Sequence, residues 1–145
     1  MSVVALGEAL LEMVPREVAG TVYDAQAPVS GGGEMLPTPP WVVVNLRLPD
    51  VVDRSMAGPV HASEALLRLT ATAGTVQGVR MILDDLLTLE GQRPVVEGWS
   101  CGPLRQVNIR EPQVDRDYVF AGALLHPVYA VVEFAATVTR RIGGG

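Results

Sequence analysis

The sequence predicts an α+β fold with a mixed, mainly antiparallel sheet of about five strands and two helices on one face. Two segments repeat apolar residues at the three- and four-residue spacing of a helix, and about five others alternate or are rich in β-branched residues. The predicted order is helix, three strands, helix, two strands, which lacks the regular alternation of a parallel α/β fold. Two helices cannot cover both faces of such a sheet. The second face is therefore expected to be partly exposed or buried in an oligomer.

The length predicts one domain. A chain of 145 residues is expected to bury roughly 68% of its unfolded surface, which is enough for a single core. We assign residues 1–142 to this domain and the three final glycines, residues 143–145, to a flexible tail.

The first helix is predicted to begin after Ser2, which can act as its N-cap. Its apolar face carries Leu6, Leu10 and Met13, and Pro15 ends it after about three turns.

The second helix is the clearer of the two. Thr75 is a suitable N-cap, and Gly91 is a suitable stop. Gly78 inside the first turn costs about 1 kcal/mol relative to alanine. The apolar stripe consists of Val76, Val79, Leu83 and Leu86, widened by Ile82 and Leu87.

The predicted strands differ in character. The segment 41–48 begins with a continuous apolar run, which predicts a central strand buried on both faces. Alternating apolar and polar residues predict a strand at 105–110, and the same alternation appears within a long extended segment at 60–73. The last strand is predicted at 128–139, where every second residue from Val128 to Val138 is apolar and forms one face. A short strand is predicted at 21–23, and the segment 92–103 is predicted to be irregular, with room for one short additional strand at 95–96.

Two connections are long and rich in turn-forming residues. Residues 28–40 hold four prolines and a glycine triplet, which predict a mobile loop. Residues 49–59 form the second connection. The glycine triplet has no lysine after it, so it does not match a phosphate-binding loop.

The composition excludes several kinds of chemistry. All eleven basic residues are arginine, so a lysine Schiff base and a lysine general base are excluded. The single cysteine excludes an intrachain disulfide and any zinc site that takes two cysteine ligands from one subunit. We expect no cofactor and no metal.

Charge and hydropathy bear on partners and location. A net charge of −5 argues against general binding of nucleic acid, but an acidic surface suits a passage through which DNA slides. The first twenty residues lack the basic region of a signal peptide, and charges interrupt every long apolar run. These features predict a soluble protein with a free thiol, made in a reducing compartment, without a membrane partner.

Two groups of residues are candidates for chemistry. Asp115 and Asp117 flank Arg116, and we favour ion pairs between subunits over a metal or nucleophile site there. Cys101 with His61 or His126 would make a thiol–imidazole pair. No helix begins just after Cys101 to activate it, so a structural thiol is favoured.

The order of features resembles the tail-terminator (tail-completion) proteins of long-tailed bacteriophages. The match comprises an N-terminal helix, Val-Tyr-Asp at 22–24 before Pro28, Pro-Pro-Trp-Val-Val-Val at 39–44, a long strand ending at Thr72, and the helix 76–89. It also includes the Asp-Arg-Asp step at 115–117 and the final strand through Tyr129. The lysine-free composition suits a GC-rich genome.

The resemblance implies a structural virion protein and not an enzyme. It implies a ring, a hexamer in this family, that caps the tail tube, stops its polymerisation and joins it to the head. The partners would be further copies of the chain, the major tail-tube protein, the head-closure connector, and genomic DNA passing through the lumen. The protein would be assembled in the host cytoplasm and reside in the tail–neck region of the virion.

Two other functions are compatible with these sequence features. A head-closure (stopper) or neck adaptor protein would also form a ring. A small enzyme or ligand-binding domain using Cys101 and a histidine belongs to a different class and predicts an accessible, reactive thiol.

The family's contacts are spread over strands and loops, so the resemblance transfers no individual site residue. We expect contacts from the two long connections and from the segment 110–117. The predicted contact residues are Gly32, Glu34, Asp50, Asp53, Arg54, Arg110, Asp115, Arg116 and Asp117. Acidic residues are expected to line the lumen, among them Asp50, Asp53 and Glu90.

Overall fold

The computed structural model describes residues 3–17, 20–24, 40–48, 62–114 and 126–140, and it confirms the α+β class. Two α-helices and seven strands are present in these ranges, with a short 3-10 helix after the second α-helix. In chain order they are α1 (Val3–Met13), β1 (Val22–Asp24), β2 (Trp41–Arg47), β3 (Ala62–Ala73), α2 (Val76–Leu86), the 3-10 helix (Leu87–Leu89), β4 (Trp99–Cys101), β5 (Arg105–Ile109), β6 (Gln113–Val114) and β7 (Val128–Arg140).

The seven strands occupy five lateral positions in one sheet. The order is β1-β2-β3-β7, and the free side of β7 pairs in turn with β4, β5 and β6 along its length. β1 runs parallel to β2, whereas all other pairs are antiparallel. The expectation of about five strands thus matches the number of positions. The higher strand count arises because one edge position is built from three short segments.

Both helices lie on the same face of the sheet, as the sequence predicts. Leu6 and Leu10 of α1 share one hydrophobic core with Ile82 and Leu86 of α2. β3 and β7 supply the sheet side of this core through alternate residues, which follows from the two-residue period of a strand. The fully buried strand residues here include Leu67, Leu69, Val132, Phe134 and Val138.

β2 is buried on both faces where its valines lie. Val42 and Val44 join the core beneath the helices, and Trp41 and Val43 are buried on the second face of the sheet. The rings of Trp41 and Tyr23 form a T-shaped contact, with centroids 6.4 Å apart and an interplanar angle of 83°. Further along, Asn45 and Arg47 are exposed. The second face is therefore covered at one end and open at the other.

The start of α2 is fixed by a cap and a glycine. The Thr75 hydroxyl accepts a hydrogen bond from the Gly78 amide at 3.0 Å, which confirms the predicted N-cap. A Cβ at Gly78 would lie 3.0 Å from the Cβ of Ala73 at the end of β3. Glycine therefore permits a close approach between helix and strand. Gly91 adopts a φ of 84°, which suits its predicted role just after the helix.

Two local expectations were wrong. Residues Val95 and Val96 form no strand, and Val95 is 90% exposed; the strand lies instead at Trp99–Cys101. Val76 was placed on the buried stripe of α2 but is 39% exposed, because it begins the helix beside a groove. Met13 does lie on the apolar face of α1, as predicted: it is partly buried and packs against the core, and Val14 just after the helix is fully buried.

Candidate functional site

Of the predicted contact residues, Arg110 lies in the described part of the chain. It is exposed and follows β5, where its backbone N–H donates to the Val131 carbonyl at 2.9 Å. Gly32, Glu34, Asp50, Asp53, Arg54, Asp115, Arg116 and Asp117 lie outside the described residues, as does His61. The candidate site is therefore built around Arg110 and its neighbours.

β5 is the most exposed long strand of the sheet. All five of its residues are exposed, although it pairs with the buried strand β7. The register of β5 against β7 shifts between Gln106 and Asn108, so Val107 is the extra residue of a β-bulge in β5. Val107 and Ile109 are 51% and 43% exposed, which places apolar side chains on an edge strand in water. Native edges usually carry charge to discourage pairing with other chains.

One end of this edge is blocked from within the chain. The Gln106 backbone N–H donates to the Glu90 carboxylate at 2.5 Å. Just before it, Leu104 and residues 91–92 exchange two backbone hydrogen bonds of 2.8 Å. The backbone hydrogen-bonding groups on either side of Arg105 are therefore already paired within the chain. This contact also gives Glu90 a role that the sequence did not suggest.

A groove lies between α2 and the segment that follows β5. Leu83 is the most buried of its lining residues, and the helix wall carries Val76 and Arg80. The groove has a volume of about 560 Å³. The opposite wall is formed by Ile109, Arg110, Glu111 and Pro112. We call this set of seven residues the α2–β5 groove.

The groove exists because α2 does not extend over β5. α2 packs on β3 and β7, so it covers the centre of the sheet. Ile109 pairs with Val132 and shares its helix-side face, yet it stays half exposed beyond the edge of the helix. An apolar floor with unfilled space above it suits binding of another apolar surface.

Two arginines, Arg80 and Arg110, are among the residues that line this groove. Arg80 and Arg110 are exposed and form no ion pair with any other residue of the described ranges. Glu111 is the acidic residue among the groove's lining residues. The groove therefore combines exposed apolar area with a small positive excess, in a chain whose net charge is −5.

The second face of the sheet carries a polar row. In register across it stand Asn45, Arg68, Glu133 and Asn108, and the Asn108 amide donates to the Glu133 carboxylate at 3.0 Å. Next to this row, Arg105 forms an ion pair with Glu64 at 2.5 Å. Both partners are about half exposed, so the pair is expected to add little to stability.

Cys101 and His126 are not brought together. Cys101 is buried opposite Val138 near the end of β7, whereas the exposed His126 precedes the start of that strand. Ten residues of extended strand between Val128 and Val138 span roughly 33 Å. Of the two histidine pairings considered for Cys101, this one is excluded, and the pairing with His61 lies outside the described residues.

The described ranges hold few other features that suggest a site. No three His, Cys, Asp or Glu residues there are grouped so that they could hold a metal ion. No helix in that part of the chain combines the length and apolar character needed to cross a membrane. A smaller hollow of about 290 Å³ lies at the start of α2, lined mostly by small or apolar residues.

The fold and the site together define a class: an α+β protein with a one-sided helical layer and an exposed, partly apolar sheet edge. No protein-family model matches the chain, and no curated protein is significantly similar to it.

Proposed function

We propose that the protein is a structural ring subunit of the tail-terminator type, which caps a phage tail tube and joins it to the head. The observation that carries this proposal is the exposed edge formed by β5 together with the α2–β5 groove. An edge strand with 43–51% exposure at Val107 and Ile109 is a surface suited to another protein chain.

The one-sided architecture supports the same proposal. A terminator must match the last ring of the tube on one side and present a different surface on the other, so that polymerisation stops. This chain has unlike surfaces of that kind. Its helical layer lies on one face, and the polar row through Arg68 and Glu133 lies on the other.

The charged residues of the chain support a structural role. The exposed charges are arginines and carboxylates, which suit salt-sensitive contacts between subunits. A net charge of −5 would let DNA pass through a ring without strong binding.

The test combines mass and partner binding. Light scattering across a concentration series, alone and with tail tubes assembled from the tube protein of the same genome, should detect a ring either free or at tube ends. A strict monomer that ignores the tubes would rule out the proposal. A protein that binds purified head connector but not tubes would indicate the head-closure or adaptor alternative.

A further inference from the structure

We infer that the α2–β5 groove receives helix α1 of a second copy of this chain, so that successive subunits join head to tail. This inference rests on the proposed ring function and names the two surfaces that would build the ring. It follows from the shape of the groove and from the charges on the two helices.

The exposed side of α1 carries an ordered stripe. Val4, Glu8 and Glu12 follow at four-residue intervals, and all three are exposed, Val4 by 66%. In an α-helix these positions lie on one side at steps of about 6 Å. The stripe faces away from the core, since Leu6 and Leu10 are fully buried on the opposite side.

The groove carries the matching set. Val76 and Arg80 are also four residues apart on α2, so the same step of about 6 Å separates an apolar residue from a guanidinium. Ile109 and Arg110 repeat the pair on the opposite wall. Val4 would contact the apolar floor while the two glutamates face the two arginines.

Charge favours this pairing over its alternatives. The exposed charges on and just after α1 are Glu8, Glu12, Arg16 and Glu17, which leave a negative excess. The groove contributes Arg80 and Arg110 against Glu111, which leaves a positive excess. Two grooves facing each other would place like charges together, and so would two α1 helices.

The two surfaces lie on different parts of the sheet. Gly7 of α1 sits against Leu46 and Leu48, at and just after β2, whereas the groove lies beyond β7 at the opposite edge. Three strand spacings separate β2 from β5, or roughly 14 Å. One molecule cannot fill its own groove in this way. A contact between unlike surfaces propagates from copy to copy and closes into a ring if the rotation allows.

A charge exchange tests the pairing. Arg80→Glu with Arg110→Glu should weaken self-association at least tenfold, and Glu8→Arg with Glu12→Arg should do the same. Mixing the two double variants should restore association between them. Arg93→Glu, at an exposed site outside the groove, is the matched control and should leave self-association unchanged.

A disulfide trap gives an independent readout. Because the one native cysteine is buried, a chain carrying Glu8→Cys and Arg110→Cys should oxidise into a ladder of covalent multimers. A chain carrying Glu8→Cys and Arg93→Cys, whose second site is exposed outside the groove, should give no ladder.

The outcomes separate this inference from the proposed function. If the protein caps tubes but neither the charge exchange nor the trap responds, the pairing of α1 with the groove is wrong and the ring function stands. If groove variants lose binding to the tube protein but keep self-association, the groove binds that partner and the inference fails. If no assembly or tube capping occurs at all, the ring function and this inference fail together.

Discussion

Gly78 shows how a single residue couples a helix to the strand before it. Alanine at this position would gain about 1 kcal/mol in helix propensity. Its Cβ, however, would lie 3.0 Å from Ala73 and 3.2 Å from the Thr75 hydroxyl that caps the helix. Ala73 is buried in a long paired strand and cannot move away easily.

We therefore predict that Gly78→Ala lowers the free energy of unfolding by about 1 kcal/mol, because overpacking costs more than the propensity returns. Urea denaturation checks the value. Gln77→Ala, at an exposed position of the same turn, is the control and should be neutral or slightly stabilising. A more stable Gly78→Ala variant would show that the strand yields to the added methyl group.

The reactivity of Cys101 tests the alternative that the protein is an enzyme. Its side chain is 9% exposed within the core, and a buried thiol is reached by reagents only when the structure opens. We predict that iodoacetamide modifies the folded protein at least tenfold more slowly than the urea-unfolded chain between pH 6 and 9. Alkylation faster than that of a free thiol in this range would instead support a reactive cysteine.

The limits of residue-level prediction are visible at Val76. The sequence shows an apolar residue in register with Val79 and Leu83, so it was placed with them on the buried stripe. Val76 is exposed because it lies in the first turn of α2, on the open wall of the α2–β5 groove, where no other element in the described part of the chain covers it. The spacing of residues along a helix does not reveal where the neighbouring element stops.

At the scale of elements, long periodic segments were predictable and short ones were not. β7 has an apolar residue at every second position from Val128 to Val138, and α2 has both a cap and a stripe; the predicted ends of both lie within three residues of the observed ones. β4 and β6 have three and two residues. They are strands only because β7 offers hydrogen-bonding partners, which no local pattern encodes. The site was predictable only at Arg110.

The centre of β7 is expected to carry much of the stability. Phe134 is fully buried and stands in register with Leu67. Phe134→Ala should lower the free energy of unfolding by about 3–5 kcal/mol through lost burial and a cavity. Thermal and urea denaturation measure this loss. Met81→Ala on α2, 54% exposed, should change stability by less than about 1 kcal/mol.

The exposed edge leads to a different prediction. Ile109→Asp should lower the free energy of unfolding by about 1 kcal/mol only, because the residue is 43% exposed although it pairs with the buried Val132. The same substitution should also weaken self-association, because it places a carboxylate in the apolar part of the groove. Sedimentation velocity measures the second effect. Val95→Asp, at a site 90% exposed, is the control, and equal behaviour of the two variants would remove β5 from the interface.

For the whole molecule, the distribution of charge and the one-sided architecture both support a role as a ring subunit. An acidic chain without lysine carries arginines that line an apolar groove and carboxylates that follow the outer side of α1. Two separate surfaces of opposite charge favour assembly in one direction. The lining of a lumen by Asp50, Asp53 or Glu90 stays a prediction, and in the described structure the Glu90 carboxylate accepts a hydrogen bond from the edge of β5.

We propose above that this chain ends the growth of a tail tube. Electron microscopy of tubes polymerising from the tube protein of the same genome, with and without this protein, tests it most directly. We predict that tubes stop lengthening once the protein is added and that each carries one ring-shaped density at a single end. Tubes that keep growing at the same rate, or that bind the protein along their sides, would contradict the account.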